Sequence, residues 1–329
     1  MFNMRVNVYR GDHIESRHTI HATVLDHKHN LIFSCGENNY VTCIRSSFKP
    51  FQAYPVIYHQ GHKKYQFSSS EIALLCASHN GEPRHVRAAK NMLKKINYSH
   101  QHLECGSHLP SHRHTKKLIT QKKIKLNPLY NNCSGKHIGM LTLSKLLSCK
   151  PKKYITSKHE VQKAIMKFLY QNHSLTPISI GTDGCGASAP FFTIQEVAKL
   201  YLDFGTSCDP AYQTLFNAIT KHPYMIAGKN RFDSFFTNIM KGAGLCKGGG
   251  EGVLGLYVNS KKYGPLALGL KVEDGNHRAR AIAVIHILKH IQALSVSVQS
   301  KLNKFHTFDR KNHNNRKIGF ISTEISKLQ

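Results

Sequence analysis

The sequence predicts an α+β protein in which strands from the two chain ends form one antiparallel sheet, flanked by helices, and the middle forms a helical subdomain. Three observations predict it. Short alternating segments rich in β-branched residues cluster in the first forty residues and return after residue 250. Between them, from Lys49 to about Thr220, apolar residues recur at helical spacing. A long apolar-periodic segment, Arg278–Ala293, follows the returning strands and supplies a helix to cover the sheet.

Taken in order, Val6–Tyr9, His18–Leu25 and Leu31–Cys35 read as strands, with Asp26–Asn30 as a hairpin turn. Phe51–His59, Ser69–Ala77 and Arg84–Ile96 read as helices, the last opened by Glu82-Pro83. Lys136–Leu147, Glu160–Tyr170 and Ile194–Leu202 follow as further helices, and Pro177–Ile180 reads as a short strand. Loops rich in Gly and Asn fall at Asn131–Gly135 and Gly181–Gly186. Val253–Val258 and Leu266–Val272 are the returning strands, and a basic segment, Lys304–Lys317, leads to a closing strand at Ile318–Ser322. No repeat or long linker interrupts the 329 residues. One domain over 1–329 is therefore expected, with 1–45 and 250–325 giving the sheet and 50–220 mostly helical.

Composition narrows the function classes. Apolar residues make up 40% of the chain, which suits a globular protein and not a disordered one. The N-terminus lacks an apolar signal core, and no run approaches 18 apolar residues, so neither secretion nor a membrane span is expected. The nine scattered cysteines suit a reducing, cytoplasmic setting. The net charge of +28 comes from 46 Lys and Arg against 18 Asp and Glu. It is spread along the chain, with local peaks at Arg113–Lys125 and Lys145–Lys158, whereas a nucleic-acid reader concentrates charge and interleaves aromatics. Specific nucleic-acid binding is therefore not expected, although loose polyanion binding is.

Five segments carry candidate chemistry. In Arg45-Ser46-Ser47-Phe48-Lys49-Pro50, a hydroxyl at Ser46 precedes the Lys49 amine by three residues, which stacks the two on one helical face. A lysine in a dry pocket can lose its proton and act as a base, so a neighbouring serine is a candidate nucleophile. The same residues also suit a helix start, with Ser46 or Ser47 as the cap and Lys49 in solvent. Ser78 lies in Cys76-Ala77-Ser78-His79-Asn80-Gly81 at an element end, where reactive groups tend to be presented; the alternative is a helix C-terminus capped by Gly81. Asn131–His137 places Gly135 so as to turn the chain into a helix whose N–H groups face an anion or carbonyl oxygen. Its spacing departs from a phosphate loop, which excludes nucleotide binding of that kind. Cys133, Lys136 and His137 are potential metal ligands there.

In Gly181–Gly186, the Asp183 carboxylate suits an α-ammonium group or an ordinary Asx turn. Cys185 can join Cys133 as a thiolate pair for zinc, or each thiol can be a small buried apolar group. Finally, Lys247 opens Lys247-Gly248-Gly249-Gly250-Glu251-Gly252, where glycines admit a substrate or another backbone, or form a mobile solvent loop. A lysine before a late strand, together with Ser-x-x-Lys, is similar to part of the β-lactamase motif set, whose Ser-Asp-Asn element is absent here. Arg231, in a polar loop, is a candidate carboxylate binder.

Read together and in this order, these blocks resemble the bacterial L-asparaginase II family of the Rhizobium inducible type. The matching blocks include Arg10-Gly11, Glu15–His18, Arg45–Gln52, Cys76–His79, Gly81–His85, Glu104–Gly106, Asn131–His137, Asp183–Gly186, Arg231–Asp233, Lys247–Gly252 and Asp274-Gly275. The likeness runs from about residue 8 to 322. It implies a serine β-lactamase/glutaminase-like fold and hydrolysis of L-asparagine to L-aspartate and ammonia. It implies two Ser–Lys pairs, Ser46 with Lys49 and Ser78 with Lys247, and a zinc ion held by Cys133, Lys136 and Cys185 with Asp183 close by. Asp183, Arg45 and His137 are the expected substrate-binding residues, L-asparagine is the expected small-molecule partner, and a homodimer is the expected assembly. In the expected mechanism Ser46 attacks the side-chain amide, Lys49 takes its proton, and Ser78 with Lys247 relays it to ammonia. Backbone N–H groups near Ser46 are expected to hold the oxyanion. The alternatives are a glutaminase or other amidohydrolase on the same fold, a β-lactam-reactive enzyme and, from another class, a nucleic-acid-binding protein.

Overall fold

The computed structural model describes residues 2–305 and 308–327. The chain divides into two compact units, each built from separated segments. The sheet unit takes the chain up to Ser47, Phe191–Thr206 and the chain from Ala243 onward; the helical unit takes Phe48–Pro190 and Ser207–Gly242.

In the sheet unit the strands are β1 (Phe2–Arg10), β2 (His13–Asp26), β3 (Leu31–Cys35) and a short β4 (Val41–Cys43). Toward the other end of the chain come β7 (Gly244–Gly248), β8 (Val253–Ser260), β9 (Gly264–Val272), β10 (Phe308–Lys311) and β11 (Lys317–Lys327). Eight of them form one sheet in the order β10-β11-β1-β3-β2-β9-β8-β7. Its ladders are antiparallel except for a single parallel bridge between Phe2 and Cys35. The two chain ends thus meet in adjacent strands, with Val6 opposite Thr323 and Ala22 opposite Leu270.

Two helices, α8 (Ile194–Thr206) and α12 (His277–His290), cover opposite faces, as register shows. Gly255 pairs with Gly269, and a Cβ on either would strike α8, at Tyr201 and at the Ile194 carbonyl respectively. Gly248 pairs with Leu254, one residue along and so on the other face, and a Cβ there would strike Arg280 of α12. Strands covered on both sides are mainly apolar, and Leu254, Leu256, Leu268, Leu270 and Val272 have no exposure. Each such side chain contributes roughly 1.5–3 kcal/mol of transfer free energy.

The helical unit contains α1 (Lys49–Tyr58), α2 (Gly61–Lys64), α3 (Ser69–Leu75), α4 (Pro83–Lys95), α5 (Arg113–Thr120), α6 (Ser134–Leu146) and α7 (Glu160–His173). It also holds α9 (Pro210–Lys221), α10 (Pro223–Ala227) and α11 (Phe232–Ile239). β5 (Ser179–Thr182) leads to β6 (Ser188–Thr193), which carries the chain back to the sheet unit, where α13 (Val296–Leu302) completes the helices. The central helix is α1, buried from Lys49 through Ile57 and packed on α6, α7 and α9. Pro50 suits its first turn, and the Tyr54 hydroxyl donates to Asp209, whose carboxylate caps α9.

The elements differ from the sequence reading where glycine or charge hid them. β7 adds a strand at Gly244–Gly248, before the expected sheet segment, where Gly248 lies too close to Arg280 of α12 to admit a side chain. β10 lies inside the basic Lys304–Lys317 segment as an edge strand, where charge is tolerated. The helix containing Lys136 begins earlier, at Ser134, with Gly135 inside its first turn. No disulfide forms among the described residues, and no described helix is long and apolar enough to cross a membrane.

Candidate active site

The sheet unit presents Arg45, Ser46 and Lys247. Arg45–Phe48 forms a single 3-10 turn, entered with Arg45 at φ 46°. Ser47 fastens it: its hydroxyl donates to the Lys247 carbonyl at 2.7 Å, and its own carbonyl accepts from the Tyr201 hydroxyl at 2.8 Å. The glycine run explains the close approach. A Cβ on Gly249 would sit 2.9 Å from the Ile44 carbonyl and 3.3 Å from the Ser46 nitrogen, and one on Gly250 would sit 2.7 Å from the Arg45 guanidinium. The glycines therefore admit another backbone, one of the alternatives the sequence left open. Lys247 is the fourth residue of β7, buried to 2% exposure, with Nζ donating to the Gly248 carbonyl at 3.0 Å. The Arg45 guanidinium lies 3.6 Å from the Glu251 carboxylate.

The helical unit presents Lys49 and Ser78. Lys49 opens α1 with no exposure, and its Nζ donates to the Ala77 carbonyl at 2.6 Å and to the Ser78 hydroxyl at 2.8 Å. Ser78 sits beyond α3, whose C-cap is Cys76 and not Gly81. Its segment is pinned on both sides: Ser78 N–H donates to the Ile226 carbonyl, His79 N–H to Asn132 and Asn80 N–H to Ala227. Gly81, at φ 72°, donates its N–H to His79 Nδ1 at 3.0 Å, which leaves His79 Nε2–H to donate to Ser134 at 2.8 Å. Burial first, then the neighbouring His85 and Lys49, hold His79 well below the usual histidine range, so it stays neutral. The Ser78 hydroxyl thus sits on a stiff frame beside a buried amine.

A cluster of soft donors lies in the same unit. Cys133 precedes α6, Lys136 lies in its first turn, and Asp183 and Cys185 share the turn after β5. The thiols of Cys133 and Cys185 and a carboxylate oxygen of Asp183 all lie within 4.8 Å of one another. Lys136 Nζ is 3.6 Å from that carboxylate, and both side chains are buried. Gly135 makes this possible, since a Cβ there would sit 2.0 Å from the Leu74 carbonyl and push α6 off the end of α3. Its role is close approach and not the turn expected from sequence. Asn131 ties the loop down: its side chain donates to the Cys105 carbonyl and accepts from the Cys133 N–H.

The cluster's electrostatics are mutual. The thiol pair shares one strong interaction that lowers Cys185 and, aided by burial, raises Cys133. Burial opposes the charge on Lys136, but Cys133, Cys185 and Asp183 together outweigh it and hold the ammonium above the ordinary lysine range. Lys49 also lowers Cys133, so the amine beside Ser78 and the thiol cluster share one electrostatic field. Two thiols and a carboxylate gathered this closely are a donor set of the kind that can hold a soft divalent cation such as zinc, with the Lys136 amine beside them. His137, on the next position of α6, is fully buried, and burial, then Lys136, pushes it down to about 3. Its partner is the Tyr154 hydroxyl at 2.8 Å, which the sequence did not single out because Tyr154 follows a basic run. Arg231 donates to the Asn80 side-chain oxygen at 2.9 Å.

The structure therefore places Ser46, Arg45 and Lys247 in the sheet unit, and Lys49, Ser78, Cys133, Lys136, His137, Asp183 and Cys185 in the helical unit. The L-asparaginase II family model matches residues 6–323, which takes in every one of these positions. The chain belongs to the L-asparaginase II family. No curated protein matches it. Solved structures similar to this L-asparaginase II chain include Mglu in its native form in the presence of 4.3 M NaCl, at 9% identity and TM-score 0.37, covering 83% of this chain and 61% of that one. Mglu in its native form is 10% identical with TM-score 0.35, covering 84% of this chain and 65% of that one. The chain spans less than two thirds of the length of either structure.

Proposed function

We propose that this chain is an amidohydrolase that cleaves the side-chain amide of L-asparagine to L-aspartate and ammonia by Ser–Lys catalysis. Membership of the L-asparaginase II family supports the reaction. The observation that carries the mechanism is the fully buried Lys49 amine hydrogen-bonded to the Ser78 hydroxyl at 2.8 Å. In the proposed sequence Ser46, three residues before Lys49, attacks the amide carbon while the Lys49 amine takes its proton. The proton passes through Ser78, with Lys247 as the second amine, to the departing nitrogen; the C–N bond breaks and ammonia leaves. Water then hydrolyses the seryl ester to release aspartate. A second reading is favoured by the Lys49–Ser78 bond itself: Ser78 attacks and Lys49 is its direct base.

Asp183, Arg45 and His137 are the proposed substrate-binding residues. Cys133, Lys136 and Cys185, with Asp183, would hold zinc, and the bound cation would supply positive charge and polarising power beside the substrate. The lysine must be neutral and the thiols ionised to bind it, so acid favours release. A cytoplasmic homodimer completes the reading.

The test is ammonia release by the purified protein from L-asparagine and from L-glutamine, each with and without added zinc. Turnover of L-asparagine with weaker or no turnover of L-glutamine is expected. Preference for L-glutamine overturns the substrate assignment, and inactivity on both overturns the function.

A further inference from the structure

Among the buried groups that the proposed mechanism does not explain, one is a hydrogen-bond chain that ends in an unused donor. Glu104 N–H donates to the Tyr154 hydroxyl oxygen at 2.9 Å, and that oxygen lies 2.8 Å from His137 Nδ1. Tyr154 and His137 both have no exposure, and His137 Nε2 has no partner. Two proton placements are conceivable, and counting donors decides between them. If His137 carried its proton on Nδ1, the Tyr154 O–H and the bare Nε2 would both be buried without partners. If Tyr154 donates to Nδ1, only Nε2–H remains unmatched. The second arrangement strands one group instead of two, and each stranded buried group is costly.

The chain is held rigidly upstream. The Glu104 carboxylate accepts from Lys153 N–H at 2.8 Å, and the Tyr154 carbonyl accepts from Gln162 Nε2 at 3.0 Å. Burial raises the phenol far above its usual range, so it remains a donor. We propose that Tyr154 is a positioning residue that fixes His137 in the Nε2–H tautomer, so that this buried donor is aimed at an oxygen of the bound substrate, a carboxylate or an amide carbonyl. The ring nitrogen that carries the proton is set by the bond the other one makes. The last step, contact with substrate oxygen, rests on the asparaginase reading; the tautomer does not.

The experiment joins ring-nitrogen NMR of 15N-histidine-labelled protein with kinetics of a double-mutant cycle. Wild-type protein is expected to show His137 as the Nε2–H tautomer, and Tyr154→Phe to show a mixture. Tyr154→Phe should lower kcat/KM for L-asparagine by about 10- to 100-fold. His137→Gln carries an amide donor in place of Nε2–H that needs no tautomer control, so adding Tyr154→Phe to it should cost no further activity. An Nδ1–H tautomer in wild-type protein overturns the proposal whether or not any variant folds. So does a Tyr154→Phe loss that is the same size with His137 and with Gln. If wild-type protein releases no ammonia, the asparaginase reading fails while the spectra still decide the tautomer.

Discussion

Lys49 and Lys271 are both buried amines on regular elements, yet their surroundings give them different work. Lys271, on β9 in the sheet unit, donates to the carbonyls of Glu251, Val272 and Glu273. An ammonium has three protons, so that cation is fully used in tying down the turns at either end of the β8–β9 hairpin's neighbourhood, Glu251 and Glu273. Lys49, at the start of α1 in the helical unit, donates to one carbonyl and one hydroxyl, and the hydroxyl of Ser78 can itself carry a proton onward. The difference teaches that burial alone does not mark a catalytic lysine. In the proposed mechanism, what sets Lys49 apart is a partner able to exchange protons.

The largest expected effect tests that distinction at the serines. Ser46→Ala should reduce ammonia release by about a thousandfold or more if Ser46 attacks, as loss of a nucleophile does elsewhere. Ser78→Ala should also lower the rate, and intact-mass detection of a trapped ester in Ser78→Ala but not in Ser46→Ala would confirm the order of roles. Full activity of Ser46→Ala transfers the attack to Ser78.

The next effect separates two sulfur-containing clusters in the same way. Cys133, Asp183 and Cys185 are drawn together with the Lys136 amine, whereas Cys149, His159 and Glu160 lie nearer the surface. His159 has both ring nitrogens engaged, accepting from Val161 N–H and donating to the Lys150 carbonyl. Cys133→Ser should weaken zinc binding by about 100-fold or more, given that even the outer partners of a ligand are worth 10- to 100-fold. Cys149→Ser should leave it unchanged in equilibrium dialysis.

A smaller effect is expected at the structural lysine. Lys271→Met removes the donor shared by the Glu251, Val272 and Glu273 carbonyls, of which Val272 keeps the Gly275 N–H, and should destabilise the fold by about 1–3 kcal/mol in urea titration, while the folded fraction keeps its turnover. The smallest concerns acid. Burial lowers His79, His85 and His137 below the usual histidine range, so the unfolded chain takes up protons first as pH falls. Their stabilisation is complete above the ordinary histidine value, about 6.5, and declines below it by up to roughly 1.4 kcal/mol per pH unit per residue. His85 stacks on Tyr224 at 5.0 Å, so His85→Phe preserves the stack and should make the fall between pH 7 and 5 shallower.

Much of the fold was legible because it rests on patterns of period 2 and 3.6. The strands of both chain ends and the helices at α1, α4, α6, α7, α8 and α12 follow such patterns. β7 was hidden because Gly248 and its neighbours serve close packing, which looks like a loop in one dimension. The chemistry-bearing residues were legible by type and by family blocks, but not their partners. Ser-x-x-Lys spacing points Lys49 at Ser46, whereas its hydrogen bond runs to Ser78, 29 positions away. Tyr154 was hidden for the same reason: its role depends on His137 and Glu104, which only the fold brings to it.

The most direct measurement is ammonia release from L-asparagine by wild-type protein and by Lys49→Met, with both shown to be folded by circular dichroism. The account predicts turnover by the wild type and a loss of about a thousandfold or more in the variant. Comparable turnover by a folded Lys49→Met protein would contradict it.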